Sequence, residues 1–194
     1  WLTLLKYKNL IGDADVVHCH DVFIWYLPFR FLFPRKKIFT TFHGYESYPI
    51  KKKAIIIRKV SEILSGGSIC VGDFMKKWYR AKPDYIIYGG VNIPQNFKLT
   101  KKPRALFFGR LDEQTGVETY RKAVSSIKKQ IPSFELDIFG DGKFKRRIKE
   151  AKGFDADIEN KIKNYRFLFV SRYLSILEAI AAKKMVFAVF DNPV

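Results

Sequence analysis

The sequence predicts an α/β protein with two doubly wound domains, each built on a parallel sheet. Strand-like and helix-like segments alternate along the 194 residues, and several strand-like runs are apolar throughout, as in sheets covered on both faces. The polar stretch "NIPQNFKLTKKPR" (92–104) interrupts this alternation with two prolines and indicates a linker. We therefore expect an N-terminal domain over residues 1–97 and a C-terminal domain over residues 98–194.

In the first domain, runs of β-branched and apolar residues predict the strands, and helical spacing predicts the helices between them. The predicted strands are 15–20, 36–44, 68–73 and 84–91, and the predicted helices are 22–33, 54–67 and 74–81. Gly66 is predicted to cap the second of these helices, because glycine is common just after a helix end.

The same pattern restarts in the second domain. The predicted strands are 105–111, 134–142, 165–171 and 185–191, and the predicted helices are 116–131, 143–153 and 175–184. The polar segment 154–164 has no assigned element. The chain opens on Trp1 without an initiator Met and closes on "MVFAVFDNPV", which resembles a buried strand, so we expect both domains to be truncated at their outer ends.

The composition indicates an anionic partner. Lys and Arg number 36 against 19 Asp and Glu, a net charge of +17 that is spread over both halves. A nucleic acid, an acidic membrane surface or a phosphorylated substrate would suit this excess. No helix-turn-helix, zinc-finger or RNP-like pattern is present, so no specific nucleic acid is expected. The two cysteines form no disulfide framework, which favours the cytoplasm.

Four predicted strand ends carry the residues best suited to bind a ligand. They are His43 in "TTFHGYE", Gly109 and Arg110 in "FFGRLDEQTG", Gly140 in "IFGDG", and Glu178 in "SRYLSILEA". Arg110 could hold a diphosphate with its forked cation, and the glycines would allow close approach of the backbone. Because parallel strands end at one edge, we expect the ligand there, in the cleft between the domains.

The last motif predicts a helix that begins near Ser175, with Glu178 in its first turn. The free amides at such a helix start favour phosphate oxygens, and a carboxylate beside it can accept hydrogen bonds from a ribose diol. Each motif also has a structural reading: Arg110 as a surface ion pair, "GDG" as a turn, His43 as a hydrogen-bonding residue, and Glu178 as a favourable charge at a helix start.

Taken together, the motifs resemble the retaining glycosyltransferases of the GT-B fold, of the group 1 or family 4-like type. The matching segments are "DVVHCHD", "TTFHGYE", "IIYGGVNI", "FFGRLDEQTG", "LDIFGDG" and "SRYLSILEAIAAKKMVFAV", which cover nearly the whole chain. The resemblance implies two Rossmann-like domains. It implies an enzyme of glycan biosynthesis that transfers a hexosyl group from a nucleotide-sugar donor to a glycan or lipid-linked acceptor, with retention. It implies no cofactor and no metal.

The resemblance also implies roles for individual residues. His43 would be the active-site histidine near the transferred sugar, and Arg110, beside Gly109, would contact the donor diphosphate. Gly140 would line the nucleotide pocket, and Glu178 would bind the ribose. The backbone amides of Ser175 and Ile176 would meet the diphosphate.

Two departures from the family pattern bear on these roles. The first glutamate of the family's pair falls at Val170, so the pair is broken or the loop is shortened, and the family's lysine falls at Thr115. Thr115 is therefore retained as a possible donor-side residue. The departures also suggest an alternative, a catalytically weak or inactive nucleotide- or sugar-binding protein on the same fold.

Two further alternatives remain open at the level of sequence. His18 and His20 project from one face of a strand and could form half a metal site, or His20 could simply line the cleft. The segment "FIWYLPFRFLFPRKK" mixes aromatic and basic residues, as do segments that contact anionic lipid at the inner face of the cell membrane, although these aromatic side chains could equally form core.

Overall fold

The computed structural model describes residues 2–44, 48–93 and 100–190. The chain divides into two compact units between Tyr88 and Gly89. The predicted domain boundary between residues 97 and 98 lies outside the described residues, as does part of the predicted linker.

Each unit alternates strands with helices, as the sequence predicts. The strands are β1 (Val16–His20), β2 (Lys37–Phe42), β3 (Gly67–Cys70), β4 (Tyr85–Ile86), β5 (Arg104–Phe108), β6 (Glu135–Phe139), β7 (Phe167–Phe169) and β8 (Met185–Phe187). The helices are α1 (Leu2–Leu5), α2 (Lys8–Asp13), α3 (Phe23–Leu32), α4 (Lys52–Leu64), α5 (Phe74–Tyr79), α6 (Val117–Ile127), α7 (Ile158–Ile162) and α8 (Tyr173–Ala181).

In the part of the chain that the structure describes, each unit contains a four-stranded sheet in which every pair of neighbouring strands is parallel. The order is β1-β2-β3-β4 in the first unit and β6-β5-β7-β8 in the second. This arrangement confirms the predicted fold class, two Rossmann-like α/β domains. It also places the carboxyl ends of all strands of a sheet along one edge, which is where ligands bind in such folds.

Strand β5 shows why strands of the second unit have apolar residues at every position. Ala105 and Phe107 join one buried cluster, with Val117, Tyr120 and Val124 of α6 among its members. Leu106 and Phe108 join a second cluster, which includes Ala179 of α8. Because successive side chains of a strand point to opposite faces, both faces of this sheet are covered.

The predicted basic helix over 143–153 is wrong, because this segment folds as successive turns. Phe144 and the buried Ile148 anchor it, and the amide of Phe144 donates to the carbonyl of Leu111 at 2.9 Å. A helix would place Lys143 beside Arg147 and Lys145 beside Lys149, and like charges at this spacing destabilise helices. The segment 154–164, which had no predicted element, contains α7.

Two predicted helix boundaries are also wrong. Gly66 does not cap α4: Ser65 occupies the cap position, and the amide of Gly66 donates to the carbonyl of Ile38 at 2.7 Å, at the start of the sheet. Helix α8 begins at Tyr173, so Glu178 lies in its middle and not in its first turn. The reason is the connection from β7, which is only the three residues Val170–Arg172 long.

Within the described residues, no helix is long and apolar enough to cross a membrane.

Candidate functional site

Two histidines meet at the carboxyl edge of the first sheet. His20 ends β1 and His43 follows β2, and His20 Nδ1 lies 2.7 Å from His43 Nε2 with the two rings stacked. The backbone amide of His43 donates to Asp21 Oδ1 at 3.0 Å. The structure therefore fixes the predicted active-site residue His43 through both its ring and its backbone, and joins it to His20.

His18 lies beside this pair without taking part in its hydrogen bond. Its ring centroid is 4.4 Å from that of His20, and its Nε2 is 2.8 Å from Thr41 Oγ1. Burial, and then the neighbouring His20 and His43, lower the pKa of His18. Within the described ranges, no group of three or more His, Cys, Asp or Glu side chains is arranged to hold a metal ion.

A buried arginine supports the loop that carries His43. The Arg58 side chain is 4% exposed, donates to the carbonyl of Gly44 at 2.8 Å, and lies 3.9 Å from Asp21 Oδ1. Its guanidinium stacks 4.0 Å from the centre of the Tyr79 ring, whose hydroxyl also donates to the Gly44 carbonyl. Sequence analysis missed this support, because Arg58 lies within a helix in which a charge is normally expected on the surface.

In the second unit, Gly109, Arg110 and Gly140 line one cavity of about 360 Å³. Both glycines have positive φ, +145° at Gly109 and +141° at Gly140. A Cβ atom at Gly140 would lie 1.8 Å from the Gly109 carbonyl oxygen, so the turns after β5 and β6 pack backbone against backbone. The Arg110 side chain is 64% exposed, with its Nε 3.6 Å from Asp112 Oδ2, and can reach an anion.

Thr115 is buried and faces the protein backbone. Its hydroxyl lies 2.7 Å from the carbonyl oxygen of Arg110 and 2.9 Å from that of Asp112. Thr115 does not line the cavity that Arg110 lines. In the position where the resembling family has a lysine, this chain therefore has a residue that braces the loop of Arg110.

Glu178 lines a different cavity, of about 520 Å³, together with Glu159, Asn160 and Asn92. Burial, and then the neighbouring Glu159, raise the pKa of Glu178. Two consecutive residues of α7 line different cavities, Ile158 the Arg110 cavity and Glu159 the other. The structure thus brings Arg110, Gly109 and Gly140 together and places Glu178 in a separate cavity.

The two amides predicted to contact the diphosphate differ in their hydrogen bonds at the start of α8. The amide of Ile176 donates to the carbonyl of Arg172 at 2.9 Å, so it is used within the helix and the prediction for Ile176 is wrong. Ser175 lies in the first turn, where helix geometry leaves amides without an intrahelical partner. Val170 is 1% exposed and belongs to the core, so no carboxylate occupies the short connection before α8.

Arg172 is a cation that sequence analysis missed. It follows β7 at the cap position of α8 and donates from Nη2 to Gln114 Oε1 at 2.7 Å. Its Nε is buried without a hydrogen-bond partner in the described part of the chain. Because β5 and β7 are neighbours in the sheet, Arg110 and Arg172 stand at adjacent strand ends. The signal in the sequence was a basic residue between a predicted strand and a predicted helix.

No protein-family model matches the chain, and no curated protein sequence matches it. Among solved structures, a mutant of S. aureus TarM with fondaparinux, α-GlcNAc-glycerol and UDP matches with a TM-score of 0.75 at 15% identity, over 96% of this chain and 44% of TarM.

Two further glycosyltransferase structures match in the same way. The pneumococcal O-GlcNAc transferase GtfA with UDP and GlcNAc has a TM-score of 0.68 at 14% identity, over 97% of this chain and 44% of GtfA. A glycosyltransferase from Rickettsia africae has a TM-score of 0.62 at 21% identity, over 96% of this chain and 60% of that protein. This chain spans less than half of TarM and GtfA. At these identities the likeness shows only that this chain shares the fold of the matched parts of these proteins.

Proposed function

We propose that the protein transfers a hexosyl group from a nucleotide-sugar donor to a hydroxyl of a glycan or lipid-linked acceptor, with retention of the anomeric configuration. The observation that carries the proposal is the cavity formed by Gly109, Arg110 and Gly140 at the carboxyl edge of the second sheet. It combines open backbone with an exposed guanidinium, which is what a diphosphate needs. TarM and GtfA, which share the fold, were both solved with UDP.

In this proposal, the positive charges act on the leaving diphosphate. Arg110 and Arg172 stand at adjacent strand ends and neutralise charge that develops on the phosphate oxygens as the sugar bond breaks. The first-turn amides of α8 add to this, and no metal is assigned to the step. Glu178 accepts hydrogen bonds from the ribose hydroxyls, and His43, fixed by His20, lies beside the transferred sugar.

Titration calorimetry with UDP, GDP and ADP tests the proposal. We expect one of these nucleotides to bind, and Arg110→Ala to weaken its binding roughly tenfold to a hundredfold, since hydrogen bonds to charged groups contribute about 1.5–3 kcal/mol. Glu178→Ala should also weaken the binding of this nucleotide. Arg146→Ala removes an exposed arginine outside the cavity and should change the affinity less than about twofold. No binding by the unmodified protein, or equal losses in Arg110→Ala and Arg146→Ala, would contradict the proposal.

A second candidate is a nucleotide- or sugar-binding protein that turns over little or no donor. It is favoured by Val170, which is core where the resembling family has a glutamate near the donor sugar. The two candidates separate once a nucleotide is known to bind. Transfer or hydrolysis of the matching nucleotide sugars, with the anomer identified by NMR, supports the enzyme. Binding without turnover supports the binding protein, and an inverted anomer rules out retention.

We also propose peripheral contact of the first unit with anionic membrane. The helix α3 exposes Trp25 and Phe31, and the exposed basic residues Arg35 and Lys37 follow this helix in the sequence. Aromatic and basic side chains of this kind suit the head-group region of anionic lipid. We expect co-sedimentation with phosphatidylserine vesicles at low salt and reduced binding in Trp25→Ser/Phe31→Ser. If neutral phosphatidylcholine vesicles sediment the same amount of protein, the proposed attraction of the basic residues to anionic lipid is contradicted.

A further inference from the structure

Helix α4 carries apolar side chains on the side that faces solvent. Its buried residues are Ala54, Arg58 and Ser61, which lie on one face of the helix. On the opposite face, Ile56 is 61% exposed and Ile63 is 78% exposed. The solvent-facing side of a surface helix is normally polar, so an apolar stripe there indicates a surface that a partner covers.

This stripe has the spacing of a helix-packing seam. Val60, which is half-buried, lies between Ile56 and Ile63, so the apolar residues recur after four and then three positions. These three residues are the outer seam of α4. One helix packs along another through residues at this spacing. The seam is about 10 Å long at the rise of an α-helix, so it suits a weak, exchangeable contact.

The exposed charge beside the outer seam is positive. Three consecutive lysines, 51–53, occupy the cap and the first turn of α4, where no acidic residue is present. Cations at a helix N-terminus oppose the helix dipole, so this placement costs stability unless an anion lies nearby. The only carboxylate of α4, Glu62, is turned inward. Its side chain is 10% exposed and accepts hydrogen bonds from the Lys82 amide at 2.8 Å and from Lys59 Nζ at 3.1 Å.

These charges decide which partner fits the outer seam. Two copies of the chain paired through it would bring the lysines 51–53 together in a parallel arrangement. An antiparallel arrangement that matches Ile56 with Ile63 would bring Lys59 against Lys59, and like charges disfavour both pairings. A lipid surface is favoured by aromatic side chains at the level of the head groups, and α4 contains none.

We propose that the outer seam of α4 docks an amphipathic helix of another protein, one with an apolar stripe and carboxylates beside it. The apolar stripe of the partner covers Ile56, Val60 and Ile63, and its carboxylates pair with the lysines 51–53. The same carboxylates offset the cost of placing lysines at the start of α4. This interaction is separate from the proposed function and uses no residue of the donor cavity.

Two designed peptides test the proposal. Each is a helix of about 21 residues with Leu at the a and d positions of its heptads, and the flanking e and g positions are Glu in one peptide and Lys in the other. These like charges keep each peptide from pairing with itself. We expect fluorescence anisotropy to show that the acidic peptide binds with a dissociation constant on the order of 10 μM and the basic peptide at least about tenfold more weakly.

Ile56→Ser/Ile63→Ser removes two side chains of the outer seam and should weaken binding of the acidic peptide by about tenfold or more. The matched control, Ile87→Ser/Ile180→Ser, removes two isoleucines outside α4 that are 57% and 58% exposed, and it should change the affinity less than about twofold. All four side chains are exposed, so circular dichroism should show that both variants fold.

A reversal of charge tests the role of the lysines. Lys52→Glu/Lys53→Glu should weaken binding of the acidic peptide and strengthen binding of the basic one, so that the order of the two affinities is reversed. Lys128→Glu/Lys129→Glu changes two exposed lysines just after α6 and should keep the original order.

Several results would overturn the proposal. They are failure of the acidic peptide to bind the unmodified protein, equal binding of the two peptides, and equal losses in the two isoleucine variants. A dimer of the unmodified protein that Ile56→Ser/Ile63→Ser converts to monomer would identify a second copy as the occupant instead. Reduced recovery of this variant on phosphatidylserine vesicles, without peptide binding by the unmodified protein, would identify lipid.

Discussion

Gly140→Ala is expected to destabilise the second unit by about 3 kcal/mol or more. The new Cβ would lie 1.8 Å from the Gly109 carbonyl oxygen, and the φ of +141° is one that L side chains rarely adopt. Because the clash is with backbone, it can be relieved only by moving the turns after β5 and β6 apart. Urea denaturation followed by circular dichroism measures the loss.

Gly109→Ala is the matched control for this substitution. Gly109 has nearly the same φ, +145°, but a Cβ there would meet nothing within 4 Å, so the variant carries the backbone strain without the clash. We expect it to lose about 1–2 kcal/mol. If the two variants lose the same free energy of unfolding, the close approach of the two turns does not add to the destabilisation by Gly140→Ala.

Asp137→Ala is expected to cost about 2–4 kcal/mol at neutral pH, because it removes the shared partner of a buried network. The carboxylate of Asp137 accepts hydrogen bonds from Lys152 Nζ at 2.5 Å and from the Tyr165 hydroxyl at 2.6 Å, and it forms an ion pair with Arg104 Nη2 at 2.6 Å. Its loss removes the acceptor of Lys152 and of the buried Tyr165 hydroxyl, and it leaves Arg104 paired with Glu135. Glu135→Ala, on the same strand, removes a largely exposed partner of Arg104 and should cost under about 1 kcal/mol.

The same network predicts a dependence on pH. Burial alone would raise the pKa of Asp137, but the hydrogen bonds from Lys152 and Tyr165 and the charge of Arg104 lower it below its ordinary value. A carboxyl whose pKa is lower in the folded state stabilises above its unfolded pKa of about 3.9, and this contribution is lost as the pH falls through the folded value. The difference in stability between Asp137→Ala and the unmodified protein should therefore be constant from pH 7 to about 5 and shrink below about 4. A difference that stays constant down to pH 2 would contradict this account.

Sequence patterns were sufficient to predict both sheets and the meeting of three candidate residues at the edge of the second sheet. Runs such as "ALFFG" and "LDIFG" end in glycines, and parallel strands end at one edge, so Gly109, Arg110 and Gly140 had to meet once the fold class was right. Glu178 was misplaced because "SRYLSILEA" carries no side-chain cap that marks the helix start at Tyr173. The turns of 143–153 were misread because Phe144 and Ile148 have helical spacing, whereas the surrounding like charges oppose a helix.

Arg172, Arg58 and Phe154 show what the patterns could not supply. The positions of their side chains depend on residues far away in sequence: Gln114 for Arg172, and Gly44 and Tyr79 for Arg58. The position of Phe154, which lines the Arg110 cavity, depends on the pairing of residues 151–153 beside β6. These three residues show no alternation of apolar and polar side chains that would predict this pairing. Contacts of this kind become visible only when the chain is folded.

The parallel pairing of β5 has a consequence for synthesis on the ribosome. This central strand pairs Arg104 with Glu135 and Ala105 with Phe167, so both of its neighbours are made long after it. Chains grow at about 5–20 residues per second, and non-local pairings must bear the entropy of loop closure before they stabilise anything. The apolar strand "ALFF" therefore has no partner strand for seconds, until the ribosome has synthesised the neighbouring strands. The nascent second unit should depend on chaperones more than a hairpin-built domain of equal size.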